Sequence, residues 1–248
     1  MSELLEQKPE FYDSQYFEAM RLRHTSGAHS SRINNILSTI GDVQKKQLLD
    51  IGCGDGWITN KLAERGANII GIDHSESAVN FARNQYPKDN FKVCSIYNIE
   101  QFQNETFDGV LLIDILGHVQ DLEKVFSQIK TILKPNGFIV ASEDVYSSPW
   151  HKFPLSAIIK KSLILSKDGR SYLAIKKSER SSNNVNYHVS QINDFSEKQF
   201  KNLFEENSFK VIKHNIYPLV AVPIRDFFLK IVPHSFHGDH QCLKAIKI

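Results

Sequence analysis

The stretch LLDIGCGDG, residues 48–56, decides the fold of this 248-residue chain. It begins with a short apolar run, typical of a buried strand, and continues into three glycines separated by single residues. Apolar residues then recur with helical spacing over 57–63, so the pattern predicts a strand, a tight turn and a helix. Glycines in such a turn let a ligand approach the backbone N–H groups at the start of the helix.

The same alternation of strand and helix continues on both sides of this turn. The predicted strands are 48–51, 68–73, 91–96, 107–114 and 138–143. Segments between them have apolar residues at helical spacing. After residue 190 come a helix capped by Ser196 with Gln199, a strand at 209–217 and a final apolar run at 243–248. Strands and helices in this order predict an α/β fold of right-handed βαβ units around a mostly parallel sheet.

Asp73 ends the second predicted strand, about 20 residues after the first glycine, where a carboxylate can accept hydrogen bonds from ribose hydroxyls. Trp57 stands where a dinucleotide-binding turn would have its last glycine, and its bulk hinders close packing of helix on strand. The glycines, the acidic residue and the strand context together predict an adenosine-type ligand without a pyrophosphate. NAD, which contains a pyrophosphate, is disfavoured because the turn lacks the last glycine of the dinucleotide-binding motif.

Four stretches resemble the successive motifs of class I S-adenosylmethionine-dependent methyltransferases: LLDIGCGDG, GIDHSESAV, FDGVLLIDILGHVQDL and ILKPNGFIVAS. The likeness is nearest to the small-molecule O-methyltransferases of the ubiquinone-biosynthesis type, and it covers residues 30–145 closely. It implies a doubly wound, Rossmann-like sheet of seven strands whose last strand is antiparallel, and S-adenosylmethionine as the cofactor. The implied reaction is transfer of a methyl group to a hydroxyl of a small molecule by in-line displacement.

The resemblance also implies the residues that hold the cofactor. Gly52 and Gly54 would line its methionine end, and Asp73 would hold the ribose. Ile113 would offer a backbone contact to the amino group, and Arg32 would lie near the methionine carboxylate. His74, Ile96 and Tyr97 would lie beside the adenine ring. Asp50 and Cys53 are the remaining predicted contacts of the cofactor.

Methyl transfer to a hydroxyl needs a base near the acceptor, and two histidines are the catalytic candidates. His118 follows the fourth predicted strand on the ligand side of the sheet, with a structural role as the alternative. His188 follows a basic insertion, with an exposed loop position as the alternative. Ubiquinone-type relatives have Glu before this first histidine, where this chain has Gly117, so no metal is predicted. The stretch HSFHGDH, 234–240, is predicted to be a polar loop.

Composition indicates an ordinary globular protein, with 41% hydrophobic and 23% charged residues and a net charge of +2. The polar N-terminus predicts no signal peptide, and no run of about 18 apolar residues predicts a membrane span. Three cysteines without a CxxC pair are typical of reduced thiols in a cytoplasmic protein and argue against a zinc cluster. A nearly balanced charge without interleaved aromatic residues argues against a nucleic-acid partner.

One methyltransferase domain is predicted over 1–248. Its parts are a helical N-terminal cap at 1–40, the cofactor-binding core at 41–146, a lid insertion at 147–190 and a C-terminal helix with strands at 191–248. In the cap, Tyr12, Tyr16 and Phe17 suit either core packing or a lid over the cofactor.

The insertion is rich in Lys and Arg and allows three interpretations. It could cover an acidic or phosphorylated acceptor, lie on an anionic membrane through 150–166, or be a solvated face without a partner. A membrane contact would suit an acceptor with an apolar tail. Two other functions stay open: N-methylation of a small-molecule amine, and S-adenosylmethionine binding without catalysis.

Overall fold

The computed structural model describes residues 17, 27–102, 106–145, 192–217 and 240–248, without the side chains of 27–31. Five α-helices lie in these ranges: α1 Gly27–Ile40, α2 Trp57–Ala63, α3 Glu76–Gln85, α4 Leu122–Ile132 and α5 Glu197–Glu206. The strands are β1 Gln47–Ile51, β2 Asn68–Asp73, β3 Asn90–Val93, β4 Phe107–Ile113, β5 Leu133–Asp144, β6 Phe209–Tyr217 and β7 His240–Lys247. Short 3-10 helices follow β3 at Ile96–Phe102 and β4 at Leu116–His118.

The strands form one sheet in the order β3-β2-β1-β4-β5-β7-β6. Strands β1 to β5 pair in parallel, whereas β7 runs antiparallel to both β5 and β6. This confirms the predicted Rossmann-like sheet of seven strands with an antiparallel last strand. The strand order reverses between β1 and β4, and ligands of such sheets bind at the carboxyl ends of the strands beside that point.

Helices cover both faces of the sheet. On one face, Ile36 and Ile40 of α1 pack with Leu62 of α2. On the other, Phe126 of α4 makes an edge-to-face contact with Phe204 of α5, their ring centroids 5.1 Å apart. Because both faces are buried, the strands carry near-continuous apolar runs, as parallel strands do.

Several boundaries differ from the prediction. The third strand ends at Val93 instead of residue 96, because the chain turns there into a 3-10 helix that begins at Ile96. The last strand begins at His240 instead of 243, and the predicted polar loop at 234–240 is wrong for that residue. Phe17 is buried and stacks on Phe81 with centroids 5.2 Å apart, which favours core packing for this member of the cap.

Among the described helices, none combines the length and apolar character needed to cross a membrane. The cytoplasmic location stays a prediction. So does the division into cap, core, lid and C-terminal part, since most of 1–26 and 147–190 lies outside the described residues.

Candidate functional site

The glycine turn after β1 is built so that one of its residues faces open space. Gly52, Gly54 and Gly56 all have positive φ, of 75°, 53° and 77°. A Cβ on Gly52 would meet Ile115 at 2.9 Å and one on Gly56 would meet Phe91 at 2.7 Å, so these two glycines permit close packing. A Cβ on Gly54 would meet nothing within 4 Å among the described residues. The turn therefore offers a surface for a ligand at Gly54.

Asp73 connects this turn to the end of β2. Its Oδ2 accepts the Gly54 N–H at 3.0 Å, and its Oδ1 accepts the Ser75 N–H at 2.9 Å, at the N-cap of α3. Each carboxylate oxygen can accept two hydrogen bonds, so both oxygens retain an acceptor direction. The side chain is thus fixed in place beside Gly54 while keeping the capacity to bind a pair of hydroxyls.

The predicted adenine-side residues lie beyond Asp73. His74 Nδ1 is 3.5 Å from Asp73 Oδ1, which places the imidazole next to the proposed ribose position. Ile96 packs against the core, and the Tyr97 hydroxyl accepts the Gln120 N–H at 2.8 Å. Tyr97 therefore links the segment after β3 to the loop before α4. Contact of these residues with adenine stays a prediction.

Asp50 and Cys53 are buried behind the turn. The Thr59 hydroxyl donates to Asp50 Oδ2 at 2.6 Å, joining β1 to α2. Burial raises the pKa of Asp50 to about 7, and it also raises the pKa of the Cys53 thiol, which therefore stays protonated. Both residues support the turn from within, and their predicted contact with the cofactor stays a prediction.

Arg32 lies in a polar network at the carboxyl ends of β4 and β5. Its guanidinium pairs with Asp114, the residue after β4, and its Nε donates to His240 Nε2 at 3.1 Å. The other imidazole nitrogen of His240 is 2.9 Å from Asp144 Oδ1. Arg32 is therefore held beside the end of β4 instead of pointing into solvent, and Ile113 directly precedes its partner Asp114.

Asp114 has φ 55°, which is costly for a residue with a Cβ. Its carboxylate is held by Arg32 and by the Ser142 hydroxyl, which donates to Oδ1 at 2.9 Å. These contacts stabilise the sharp turn that carries the chain from β4 into the 3-10 helix with His118.

Glu143 is a buried acid in the same region. Its Oε1 accepts the Gly117 N–H at 2.9 Å, so it braces the loop that leads to His118. Burial raises the pKa of Glu143 to about 8, against the opposing effect of hydrogen bonds from the backbone N–H groups of Gly117 and Leu116. The acid is 4% exposed, and this burial favours its protonated form.

Replacing Glu143 with Gln should flatten the pH dependence of stability. Unfolded glutamate ionises near its ordinary pKa of 4.5, whereas the folded residue ionises near 8. The free energy of unfolding of the parent should therefore fall with rising pH between these values, by up to about 1.4 kcal/mol per pH unit from this group. Urea unfolding at pH 5, 6.5 and 8 measures both proteins. Asp50 contributes a fall of the same sign to both, so equal slopes would contradict the prediction.

His118 ends the 3-10 helix after β4 and is partly exposed at the same carboxyl edge. The segment that follows the insertion anchors its loop, because the Asn193 side-chain amide donates to Leu116 O at 3.1 Å and Val119 O at 2.6 Å. The backbone N–H of Ile192 also donates to Gly117 O at 2.7 Å. His188, the other candidate, lies outside the described residues.

Sequence reasoning missed Glu143, Asp144 and His240. The two acids end a parallel strand next to β4, and that position alone could have marked them as part of the ligand-binding edge. His240 carried no such signal, since only the pairing of β7 with β5 brings it to Asp144. Within the described ranges no three acidic, Cys or His side chains are grouped to hold a metal ion, and the absence of a metal stays a prediction.

The sheet order, the glycine turn at its reversal point and the fixed acid on β2 define a Rossmann-like protein that binds an adenosine-type ligand. Residues 49–141 match the family described as a methyltransferase domain. The ubiquinone biosynthesis O-methyltransferase of Acinetobacter baylyi is 30% identical over 116 residues, which are 45% of this chain and 49% of that protein. The chain thus aligns with about half the length of this relative.

Solved structures of low sequence identity share the fold over most of the chain. The magnesium protoporphyrin IX methyltransferase of Synechocystis PCC 6803 with bound SAH superposes with a TM-score of 0.59 at 15% identity, covering 97% of both chains. The [4+2]-cyclase SpnF superposes with a TM-score of 0.59 at 14% identity, covering 88% of this chain and 80% of that one.

Residues 49–141 carry a class I S-adenosylmethionine-dependent methyltransferase domain, as the motifs predicted, and this agrees with S-adenosylmethionine as the predicted cofactor.

Proposed function

We propose that this chain transfers a methyl group from S-adenosylmethionine to a hydroxyl of a small molecule. The observation that carries the proposal is the hydrogen bond from the Gly54 N–H to the Asp73 carboxylate. Open space adjoins it at Gly54, and the carboxylate can accept further hydrogen bonds. The similarity to ubiquinone biosynthesis O-methyltransferases supports oxygen as the acceptor atom. The cofactor, when bound, supplies a methyl group on a sulfonium sulfur.

The residues of this chain would bind and orient the two reactants. Asp73 would accept hydrogen bonds from the ribose hydroxyls, and Arg32 would hold the methionine carboxylate. The backbone carbonyl of Ile113 would accept a hydrogen bond from the amino group. The loop braced by Glu143 and Asn193 would keep His118 at the edge where the acceptor enters, where its imidazole could take the hydroxyl proton.

Titration calorimetry tests the central proposal. We expect the protein to bind S-adenosylhomocysteine and to leave NAD unbound. Binding of NAD without binding of S-adenosylhomocysteine would overturn it. Methyl transfer to catechol-type and other hydroxylated acceptors then separates an enzyme from a binding module, which would bind the cofactor and turn over none of them. A shared fold does not make that choice, since a [4+2]-cyclase has it too.

Replacing His118 with Asn should lower turnover by about 100-fold, because general-base catalysis contributes about that much or more. Affinity for S-adenosylhomocysteine should stay within about twofold. His214→Asn is the matched control, since His214 is a half-buried histidine of β6 that contacts Gln241 away from the strand ends β1 and β4. Unchanged turnover in the His118 variant would make that residue structural.

N-methylation of an amine is the second candidate. The Asp114 and Asp144 side chains are 39% and 67% exposed at the edge of the polar network, and such carboxylates could bind an ammonium group and take the proton that it must lose before its nitrogen attacks the methyl group. Assays with paired alcohol and amine substrates would decide between the two acceptor atoms. The acidic or apolar-tailed acceptor and the membrane contact through 150–166 belong to a segment outside the described residues and stay predictions.

A further inference from the structure

His240 has a position and a set of partners that the proposed reaction leaves unexplained. The side chain is fully buried, although histidine usually keeps access to water. It begins β7, where it pairs with Asp144 of β5 on one side and with Tyr217 of β6 on the other. A strand with neighbours on both sides gives the imidazole a rigid support, and the Tyr217 ring packs edge-on against it at 5.4 Å.

Both ring nitrogens of His240 have polar neighbours in the network. Nδ1 is 2.9 Å from Asp144 Oδ1, whereas Nε2 is 3.1 Å from Arg32 Nε and 3.3 Å from Asp114 Oδ1. Arginine nitrogens only donate, so Nε2 must accept, and Nδ1 then carries the proton that it donates to Asp144. Burial, together with Arg32, lowers the pKa of His240 to about 4, which agrees with a neutral ring in this tautomer.

The bond to Nε determines the plane of the Arg32 guanidinium. Asp114 contacts the Arg32 guanidinium at Nη2, and His240 contacts it at Nε. The second contact prevents the guanidinium from rotating about its contact with Asp114. Recognition of a carboxylate by arginine depends on that plane, since the favoured geometry is two parallel N–H···O bonds. The same contacts steady Asp114, whose strained backbone directly follows Ile113.

We propose that His240 is a positioning residue for the amino-acid end of the cofactor, acting through Arg32 and Asp114. The inference rests on the proposed function, in which Arg32 and Ile113 hold the methionine carboxylate and amino group. His240 does not touch the cofactor in this account. It orients the residues that do.

The test uses two ligands that differ only in the amino-acid end. S-adenosylhomocysteine has this end, whereas 5′-methylthioadenosine has the adenosine and sulfur without it. In His240→Asn the amide can replace the donor to Asp144 but cannot reach Arg32, whereas in His240→Gln the amide oxygen lies near the place of Nε2. We expect the Asn variant to bind S-adenosylhomocysteine about tenfold more weakly, the loss of one hydrogen bond to a charged group.

Binding of 5′-methylthioadenosine should be unchanged in both variants, and the Gln variant should retain most of the affinity for S-adenosylhomocysteine. His214→Asn is again the matched control, and thermal unfolding of all variants measures their stability. If His240→Asn does not fold, Asp144→Ala replaces it, because it removes the partner that fixes the tautomer while leaving His240 in the strand. That variant should lose affinity for S-adenosylhomocysteine alone.

Equal weakening of both ligands, or of neither, would overturn the positioning role. A failure of the proposed function would be distinct, because the unaltered protein would then bind no S-adenosylhomocysteine, and the inference would fall with it.

Discussion

Replacing Asp73 with Asn is expected to weaken binding of S-adenosylhomocysteine by about 100-fold, or about 3 kcal/mol for two charge-assisted hydrogen bonds. The two carboxylate oxygens already accept the N–H groups of Gly54 and Ser75. An amide has one acceptor oxygen and one donor nitrogen, so in either orientation its NH₂ faces one of these N–H groups. The variant must therefore open the turn or release the ribose.

Asp108→Asn is the control for this result. Its carboxylate also holds a backbone N–H, that of Gln47 at 2.7 Å, and it pairs with Lys134, but it lies at the amino ends of β1 and β4. We expect that variant to lose stability and to keep its affinity for S-adenosylhomocysteine. Calorimetry and thermal unfolding measure the two quantities. An Asp73 variant with unchanged affinity would remove this residue from the cofactor site.

The second large effect separates two glycines of the same turn. Gly56→Ala should lower the free energy of unfolding by about 3 kcal/mol, because its Cβ would lie 2.7 Å from the Phe91 ring and 2.9 Å from the Ala82 Cβ at a positive φ. Gly54→Ala should cost only about 1 kcal/mol, the strain of a left-handed residue in open space.

Affinity for the ligand should rank the two variants in the opposite order, with the larger loss in Gly54→Ala. The methyl group of Gly54→Ala would occupy the space beside Asp73, and we expect affinity for S-adenosylhomocysteine to fall by about 100-fold, comparable to the loss of two charge-assisted hydrogen bonds. Gly56→Ala, measured at low temperature where it is folded, should bind within a few-fold of the parent. Urea unfolding and calorimetry measure both. Full binding by the Gly54 variant would show that the ligand does not approach the turn at this residue.

Local sequence patterns predicted the parts of the site whose geometry is local. The turn at residues 52–56 and the caps at Ser75 and Ser196 follow from glycine and hydroxyl side chains at fixed offsets, and the structure has them where expected. The third strand was predicted too long because residues 94–96 have strand propensity. Propensity carries no information about pairing, and the pairing with β2 ends at Val93.

The sequence by itself determined the βαβ units, the glycine turn and the acid on β2, because each depends on neighbours within one such unit, whereas the doubly wound order was implied by the family resemblance. Only the tertiary structure decided the environment of Arg32 and the role of His240. These two residues are 208 positions apart, and they meet because antiparallel β7 inserts between β5 and β6. Burial of these ionisable side chains depends on the whole fold. For this reason the raised pKa of Glu143 and the lowered pKa of His240 have no signature in the local sequence.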